Sequence, residues 1–422
     1  MNKLKLLLFT IISLTFCSAK AEPADSLARD VAIELNGADW TGLAAALSAQ
    51  REIPVSIVHI GDSHLQAETP TMELRRKFQT RFGNAGRGLV SPLKMSGTYQ
   101  PIDYTISSTG KWTASKFLRY PWTPKMWFSG TALKPARLDT DITVAVADRE
   151  AAFNDMQIFH RGAMSILSVR GADGGKLDYT AQNLPGRWTS ITLTEPVDEV
   201  TVSFMADVDF VFHAVELANG QPGVIYNTIG NGGSDMGMYN LIPEFGRGIS
   251  NLFPDLIILA LGTNDSYNNY TDAKFLRNLD RIVGELRSAN PDAQILLVSP
   301  MEIQYAKTIR TKKRVKGRKG RYRTVTTKSK NRTVVESIAS IRDIMREYAR
   351  QNNIAFYDWY EAAGGEGASA RWVDAGLMRA DHIHLTADGY QLHARKLFDS
   401  IIDALNLSDA DSANELNNLS DN

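Results

Sequence analysis

Residues 54–64 read PVSIVHIGDSH, an apolar run that closes on Gly61, Asp62, Ser63 and His64. A short, continuous apolar run predicts a strand that is buried on both faces. Ser63 follows the carboxyl end of that strand, which is where α/β enzymes hold a nucleophile. This stretch therefore predicts an α/β fold with a reactive serine at one edge of its sheet.

Similar apolar runs occur at residues 256–261, 295–298 and 354–357. Around them, residues 273–288 and 334–351 have apolar positions spaced three and four apart, a pattern that predicts helices. Alternating strands and helices imply a parallel sheet that is covered by helices on both faces.

Residues 89–223 break this alternation. Segments such as 142–146 and 200–204 are β-rich and are separated by glycine-containing turns. We therefore predict an α/β domain formed by residues 22–88 and 224–407, interrupted by an inserted β-sandwich at residues 89–223.

Four tryptophans of this insert, Trp112, Trp122, Trp127 and Trp188, admit two interpretations. Exposed tryptophans can stack on sugar rings, whereas buried ones fill a hydrophobic core. We expect these four to fill the core of the sandwich.

The N-terminus has the three parts of a signal peptide. Lys3 and Lys5 precede an apolar stretch at residues 6–16, and Ala19-Lys20-Ala21 fits a signal-peptidase site. We expect residues 1–21 to be removed and the mature chain to be exported, either to the periplasm or into the medium.

The rest of the chain supports a soluble exported protein. The single cysteine, Cys17, lies in the leader, so the mature chain should contain neither a disulfide nor a thiolate metal site. No other stretch is long and apolar enough to span a bilayer. Residues 408–422 are polar and acidic, which predicts a disordered tail.

Charge is unevenly distributed along the chain. Residues 304–335 hold thirteen Lys or Arg and no Asp or Glu, whereas the rest of the mature chain has 31 basic and 47 acidic residues, a net charge of −16. A basic run can bind nucleic acid, but we expect no nucleic-acid partner for an exported protein. We predict a solvated loop or hairpin, with capture of an anionic wall polymer or surface as the functional alternative.

Two distant segments supply the groups that acyl transfer needs. Ser63 is a candidate nucleophile, and Asp381 precedes His384 by three residues, so one short segment holds both a base and the carboxylate that orients it. His382 lies between them and should point elsewhere. The structural alternatives are that Ser63 and Asp381 cap the helices that follow them.

Two further segments can donate hydrogen bonds to an oxyanion. Asn264, in Gly262-Thr263-Asn264-Asp265, follows the strand predicted at residues 256–261. The loop at residues 227–234, NTIGNGGS, offers backbone N–H groups that can approach a ligand closely, although such glycines also form ordinary turns.

Together these segments resemble the four ordered blocks of the SGNH, or GDSL-type, hydrolases. The resemblance implies a three-layer α/β fold, with Ser63 as nucleophile, His384 as base and Asp381 as its support. It also implies an oxyanion hole made of the Ser63 backbone, a glycine and the Asn264 side chain. Gly232 matches that glycine best, and the adjacent Gly233 is the alternative.

Within that family, His64, residues 83–88 and the β-rich insert are similar to bacterial peptidoglycan O-acetylesterases, whose insert resembles a carbohydrate-binding module. The basic segment departs from that pattern. The resemblance implies an acetylated glycan as the partner, with peptidoglycan and the 6-O-acetyl group of muramic acid as the leading candidates. It implies neither a metal nor a cofactor.

Three alternatives stay open from the sequence. The chain can act on another acetylated polysaccharide, or it can be an acetyltransferase in which a sugar hydroxyl replaces water. It can also be a glycan-binding protein that keeps an idle hydrolase scaffold.

Overall fold

The computed structural model describes residues 24–49, 51–66, 69–184, 186–267, 269–316 and 322–407. The predicted signal peptide and the predicted disordered tail lie outside the described residues. No helix in the described ranges is both long and apolar enough to cross a membrane.

Eighteen strands are formed by the described residues. In chain order they are β1 (Val55–Gly61), β2 (Gly88–Val90), β3 (Tyr104–Ser107), β4 (Trp112–Ala114), β5 (Leu133–Pro135), β6 (Asp139–Val146), β7 (Phe153–Arg161), β8 (Met164–Gly171), β9 (Tyr179–Leu184), β10 (Trp188–Val197), β11 (Glu199–Ala206), β12 (Val211–Ala218), β13 (Val224–Gly230), β14 (Leu256–Ala260), β15 (Gln294–Val298), β16 (Gln304–Lys316), β17 (Tyr322–Val334) and β18 (Ala355–Tyr357).

Ten α-helices accompany these strands in the same ranges. They are α1 (Thr41–Ser48), α2 (Ser63–Gln66), α3 (Thr69–Phe82), α4 (Met236–Tyr239), α5 (Phe245–Ile249), α6 (Asp272–Ala289), α7 (Ser337–Gln351), α8 (Trp359–Ala362), α9 (Ala368–Asp374) and α10 (Ala387–Ala404). Short 3-10 turns occur at Ala24–Leu27, Arg149–Ala151 and Ser250–Leu252.

The central sheet has five strands in the order β13-β1-β14-β15-β18. Every neighbouring pair is parallel, and β1 pairs with β13 from Val55 opposite Val224 to Gly61 opposite Gly230. All seven residues of β1 are buried. A parallel strand covered on both faces needs apolar residues at successive positions, which explains the continuous run in the sequence.

Helices cover both faces of this sheet, so the domain has three layers. Successive side chains of a strand point to opposite faces. Ile57 of β1 packs in one hydrophobic cluster with Phe78 of α3 and Phe398 of α10. Val58 packs in the other cluster with residues of α6 and α7 such as Leu279. The predicted three-layer α/β fold is confirmed.

The insert forms a β-sandwich. Strands β4-β5-β12-β7-β10-β9, with β2 on β12, make one sheet, and β3-β6-β11-β8 make the other. Residues of both sheets, among them Ile142, Val144, Ile158 and Val202, share one buried core. Strand alternation in this region was the signal in the sequence, and it corresponds to inward-facing residues of a sandwich.

The tryptophans of the insert do not all lie where the sequence suggested. Trp112 packs against Phe210 and Phe212 in the sandwich. Trp122 and Trp127, only 7% and 4% exposed, instead belong to the core cluster that includes the central sheet. They fill the junction between sandwich and α/β domain, because the chain from β4 to β5 passes over this interface.

The basic segment forms a long two-stranded hairpin of β16 and β17. Thirteen residue pairs run from Gln304 opposite Val334 to Lys316 opposite Tyr322. The helix predicted to begin at Val334 was placed too early: α7 begins at Ser337, because Val334 is still paired in the hairpin.

Candidate active site

Ser63 begins α2 directly after β1, with only Asp62 between strand and helix. The turn is tight. A Cβ added to Gly61 would lie 2.5 Å from Leu65 Cδ1 and 2.9 Å from the Ala260 carbonyl oxygen. Only glycine fits there, and the junction projects Ser63 at the carboxyl edge of the sheet.

The structure brings Ser63, His384 and Asp381 together. Ser63 Oγ lies 3.0 Å from His384 Nε2, and His384 Nδ1 lies 2.9 Å from Asp381 Oδ2. Asp381 Oδ1 also accepts the backbone N–H groups of Ile383 and His384 at 2.9 and 3.0 Å. The carboxylate thus fixes both the imidazole ring and the loop that carries it.

The same contacts determine the charge of Asp381. Partial burial alone would raise its pKa, but the hydrogen bonds from the His384 ring and from two backbone N–H groups outweigh burial and hold the pKa below its ordinary value. Asp381 is therefore ionised at neutral pH. An ionised carboxylate on Nδ1 favours the tautomer whose Nε2 is free to accept the Ser63 proton.

The capping alternative for Asp381 is not what the structure shows. Helix α10 is capped by Thr386, whose Oγ1 accepts the Gly389 N–H at 3.3 Å, so Asp381 does not cap it. His382, between Asp381 and His384, has a φ of 61°, and its carbonyl accepts the Gln304 N–H at 3.0 Å.

Asn264 lies just after β14 and reaches the residue before Ser63. Its Nδ2 donates to Asp62 Oδ2 at 3.1 Å and to the Ser234 carbonyl at 3.0 Å. Both amide hydrogens are therefore held by protein acceptors.

Gly232 lies beside Ser63, because a Cβ added to it would be 3.9 Å from Ser63 Cβ. Its N–H donates to Gln66 Oε1 at 2.7 Å. A Cβ on Gly233, by contrast, would contact Leu118 of the insert. Of the two glycines that the sequence offered, Gly232 is the one placed next to the serine.

Gln66 is a residue of this site that the sequence analysis missed. It lies one helical turn after Ser63, and its Nε2 donates to Thr98 Oγ1 at 2.6 Å and to the Tyr99 carbonyl at 3.3 Å. The spacing of three residues within a helical turn was the available signal. Gln66 links the glycine loop to the start of the insert.

Tyr390 is a second residue that the sequence did not indicate. Its hydroxyl lies 3.0 Å from His64 Nδ1, and the His64 ring lies 5.4 Å from that of His384. Burial lowers the pKa of His64. A neutral His64 adds no positive charge beside His384 when the latter takes up a proton.

Two open cavities flank this arrangement. One, of about 260 Å³, is lined by Gln66, Gly232 and residues of the insert such as Thr98 and Lys116. The other, of about 180 Å³, borders Asn264. In the part of the chain that is described, no group of three or more His, Cys, Asp or Glu side chains is placed to hold a metal ion.

A serine, a base, its carboxylate and nearby N–H donors define the class of serine hydrolases. Residues 212–392 match the model of the GDSL-like Lipase/Acylhydrolase family. That match includes Gly232, Asn264, Asp381 and His384, while Ser63 precedes it. The chain is a carboxylic ester hydrolase that resembles the SGNH hydrolases, and its fold is similar to that of a peptidoglycan O-acetylesterase.

One solved structure shares this fold over most of its length, and others are similar to part of the chain. A peptidoglycan O-acetylesterase is 20% identical, with a TM-score of 0.70 over 90% of this chain and 99% of that chain. A lipase/acylhydrolase from Enterococcus faecalis is 20% identical, with a TM-score of 0.29 over 42% of this chain and 76% of that one. A carbohydrate esterase family 3 protein from Talaromyces cellulolyticus is 15% identical, with a TM-score of 0.30 over 44% and 74%. No curated protein matches the sequence.

Proposed function

We propose that this hydrolase is an exported esterase that removes O-acetyl groups from peptidoglycan, at the 6-O-acetyl group of muramic acid. The observation that carries the proposal is the hydrogen-bonded line from Ser63 through His384 to Asp381. The extent of the likeness to a peptidoglycan O-acetylesterase, which includes the inserted sandwich, supports the choice of substrate.

The first half of the reaction acylates the serine. His384 Nε2 takes the proton of Ser63 Oγ as the oxygen attacks the acetyl carbonyl. When the tetrahedral intermediate collapses, the bond between the carbonyl carbon and the sugar oxygen breaks, and His384 gives its proton to the departing sugar hydroxyl. Asp381 stabilises the imidazolium in between.

The second half releases acetate. A water molecule loses a proton to His384 and attacks the acetyl-serine carbonyl. Collapse of this second intermediate breaks the acetyl–Ser63 bond, and the proton on His384 returns to Ser63 Oγ. The products are acetate and the free enzyme.

In this proposal, the N–H groups of Ser63 and Gly232 and the Asn264 amide donate hydrogen bonds to the oxyanion of each intermediate. In the free enzyme the Gly232 N–H bonds Gln66, and Asn264 bonds Asp62 and Ser234. An incoming carbonyl oxygen must therefore replace protein acceptors at these donors. Gln66 is the acceptor on a flexible side chain that can withdraw.

The catalytic assignment is tested with Ser63→Ala. The variant should lose turnover of a small aryl acetate, by at least a thousandfold, because no other group forms the acyl bond. Ser165→Ala, at an exposed position of sandwich strand β8, is the matched control and should keep wild-type turnover. Circular dichroism checks that both variants are folded. Turnover that survives Ser63→Ala contradicts the assignment.

The substrate is tested by measuring acetate release from naturally O-acetylated peptidoglycan and from acetylated xylan. The proposal expects the higher kcat/KM on peptidoglycan. Equal or greater release from xylan would refute that choice. Adding a glycan acceptor and analysing the products distinguishes hydrolysis from acetyl transfer.

The proposed export is tested by expressing the full chain and fractionating the cells. The enzyme should appear in the periplasm or the medium, and its N-terminus should begin at Glu22. Retention of the uncleaved chain in the cytoplasm contradicts this part of the proposal.

A further inference from the structure

The hairpin of β16 and β17 is a charged arm that the proposed reaction does not use. Every residue of β16 after Gln304 is exposed, so both faces of the strand meet solvent. Close positive charges repel one another when nothing neutralises them. A long hairpin that buries no core and concentrates positive charge is therefore suited to binding an anionic partner.

The two faces of the arm differ. Side chains alternate along a strand, so Arg310, Lys312, Arg314 and Lys316 share one face, with neighbours about 7 Å apart. Arg332 joins them, because it pairs with Ala306. We call this the cationic face.

The opposite face is mixed. It holds three basic residues, two on β16 and one on β17, among apolar and uncharged polar side chains; its basic and apolar members are Tyr305, Lys307, Ile309, Lys313, Val315, Arg323 and Val325. The arm therefore places its row of evenly spaced charges on one side.

The cationic face begins at the catalytic loop. Arg332 Nη1 donates to the Asp381 carbonyl at 2.7 Å, and Nη2 donates to the Ala380 carbonyl. Gln304 N–H donates to the His382 carbonyl at 3.0 Å. From Ala306, the partner of Arg332, to Lys316 the strand extends about 34 Å. A linear molecule bound along this face has one end beside His384.

We propose that the cationic face binds carboxylates of the acetylated polymer itself, and so holds that polymer against the active site. This inference rests on the proposed function, because peptidoglycan carries carboxylates on its peptides. A straight row of charges fits a linear polyanion. The remainder of the mature chain carries a net charge of −16 and would repel such a polymer, so the arm supplies the local attraction.

A membrane surface is a poorer fit to the same face. Peripheral membrane binding needs apolar side chains that enter the lipid beside basic ones. On the cationic face, exposed Tyr322 and Val334 lie only at the two ends of the row, whereas Ile309, Val315 and Val325 lie along the opposite side of the hairpin. The arrangement favours a polymer in water.

Binding is measured by co-sedimentation with purified peptidoglycan, in a Ser63→Ala background so that nothing is turned over. The test variant changes Arg310, Lys312 and Arg314 to Gln. The matched control changes Lys307, Lys313 and Arg323 to Gln and removes the same charge from the opposite face.

We expect the test variant to bind about tenfold more weakly at low salt, from the sum of three modest exposed ion pairs. The control should bind almost as tightly as the parent. The difference should shrink at high salt, where exposed charges are screened. Amidation of the polymer carboxylates should weaken binding of the parent by a similar factor.

Kinetics provide the second readout. With Ser63 restored, the ratio of kcat/KM on peptidoglycan to kcat/KM on an aryl acetate should fall about tenfold in the test variant, through KM. Folding of each variant is checked by thermal denaturation.

Each outcome decides the question. Equal binding by test and control variants overturns the role of the cationic face, even if peptidoglycan is the substrate. Unchanged binding to amidated polymer overturns the carboxylate as ligand. If the test variant loses binding to phosphatidylglycerol vesicles but still binds peptidoglycan like the parent, the arm binds membranes instead. Binding as proposed without acetate release from peptidoglycan supports the arm and refutes the proposed function.

Discussion

The side chain of Asn264 links the sheet to the proposed oxyanion position. Both of its amide hydrogens are held, by Asp62 and by Ser234, so its orientation is fixed before substrate arrives. An amide that is already oriented at the site has only to exchange one acceptor for the oxyanion as charge develops. Asn264→Ala should therefore lower kcat on an aryl acetate by about a hundredfold or more, with a smaller effect on KM.

The control for Asn264 is Asn240→Ala, since Asn240 bonds the backbone of α6 rather than the site. It should change stability and leave kcat near the wild-type value. A near-normal kcat for Asn264→Ala would remove this residue from the proposed oxyanion hole.

In the proposed oxyanion hole, Gln66 competes with the substrate for the Gly232 N–H. A net hydrogen bond contributes about 1 kcal/mol relative to water, so its removal in Gln66→Ala should raise kcat/KM on an aryl acetate about fivefold. Gln66→Glu should have the opposite effect, because a carboxylate binds the N–H more strongly and repels an oxyanion.

The two Gln66 variants are expected to change kcat/KM in opposite directions. Loss of folding would lower kcat/KM in both, so it cannot produce this result. Steady-state kinetics on one aryl acetate measures both. If both variants are slower than wild type, Gln66 assists substrate binding and does not compete with it.

At the scale of elements, the N-terminus of α10 positions the segment that carries His384. Thr386 Oγ1 accepts the Gly389 N–H and donates to the Gly376 carbonyl at 2.9 Å. Thr386→Ala should lower the free energy of unfolding by about 1 kcal/mol, as loss of an N-cap does. Thr386→Ser keeps the hydroxyl and should retain most of that stability.

Thermal and urea denaturation measure the Thr386 variants. Because the cap follows His384 by only two residues, Thr386→Ala should also reduce kcat modestly, and Thr386→Ser should not. Equal stability of the Ala and Ser variants would show that the hydroxyl contributes nothing.

The elements also show what the sequence could predict. The buried run before Gly61 predicted β1, because a strand covered on both faces has to be apolar at successive positions. Asp381 and His384 were found because their interaction is local, within one turn. Gln66 contacting Thr98, and His64 contacting Tyr390, depend on how distant segments meet, and no local pattern encodes that.

The insert is a second case in which contacts between distant segments could not be predicted from the sequence. Alternation along its strands predicted a sandwich, but the side on which Trp122 and Trp127 are buried depends on how the sandwich docks on the central sheet. Hydrophobicity predicted that they are buried and did not identify the partner surface. The sequence also did not give the ends of the two hairpin strands. Charged, exposed strands lack the alternation of apolar residues that identifies a strand.

At the scale of the whole molecule, Phe128 joins the two parts of the fold. It is fully buried, its ring lies 5.1 Å from that of Phe159 in the sandwich, and a Cβ on Gly248 of α5 would be 2.5 Å from Phe128 Cβ. Its cluster also contains Val58 of the central sheet. A shared core of this kind should make sandwich and α/β domain unfold together.

Phe128→Ala should therefore lower the free energy of unfolding by about 3–5 kcal/mol, the usual cost of emptying a buried aromatic site. Tryptophan fluorescence and far-UV circular dichroism should report one coincident urea transition, shifted to lower urea. Leu167→Ala, at a sandwich residue that is 57% exposed, is the control and should change the free energy of unfolding by less than about 0.5 kcal/mol. If Phe128→Ala instead splits the transition in two, with aryl acetate turnover persisting after the first, the two parts are energetically independent and the junction does not couple them.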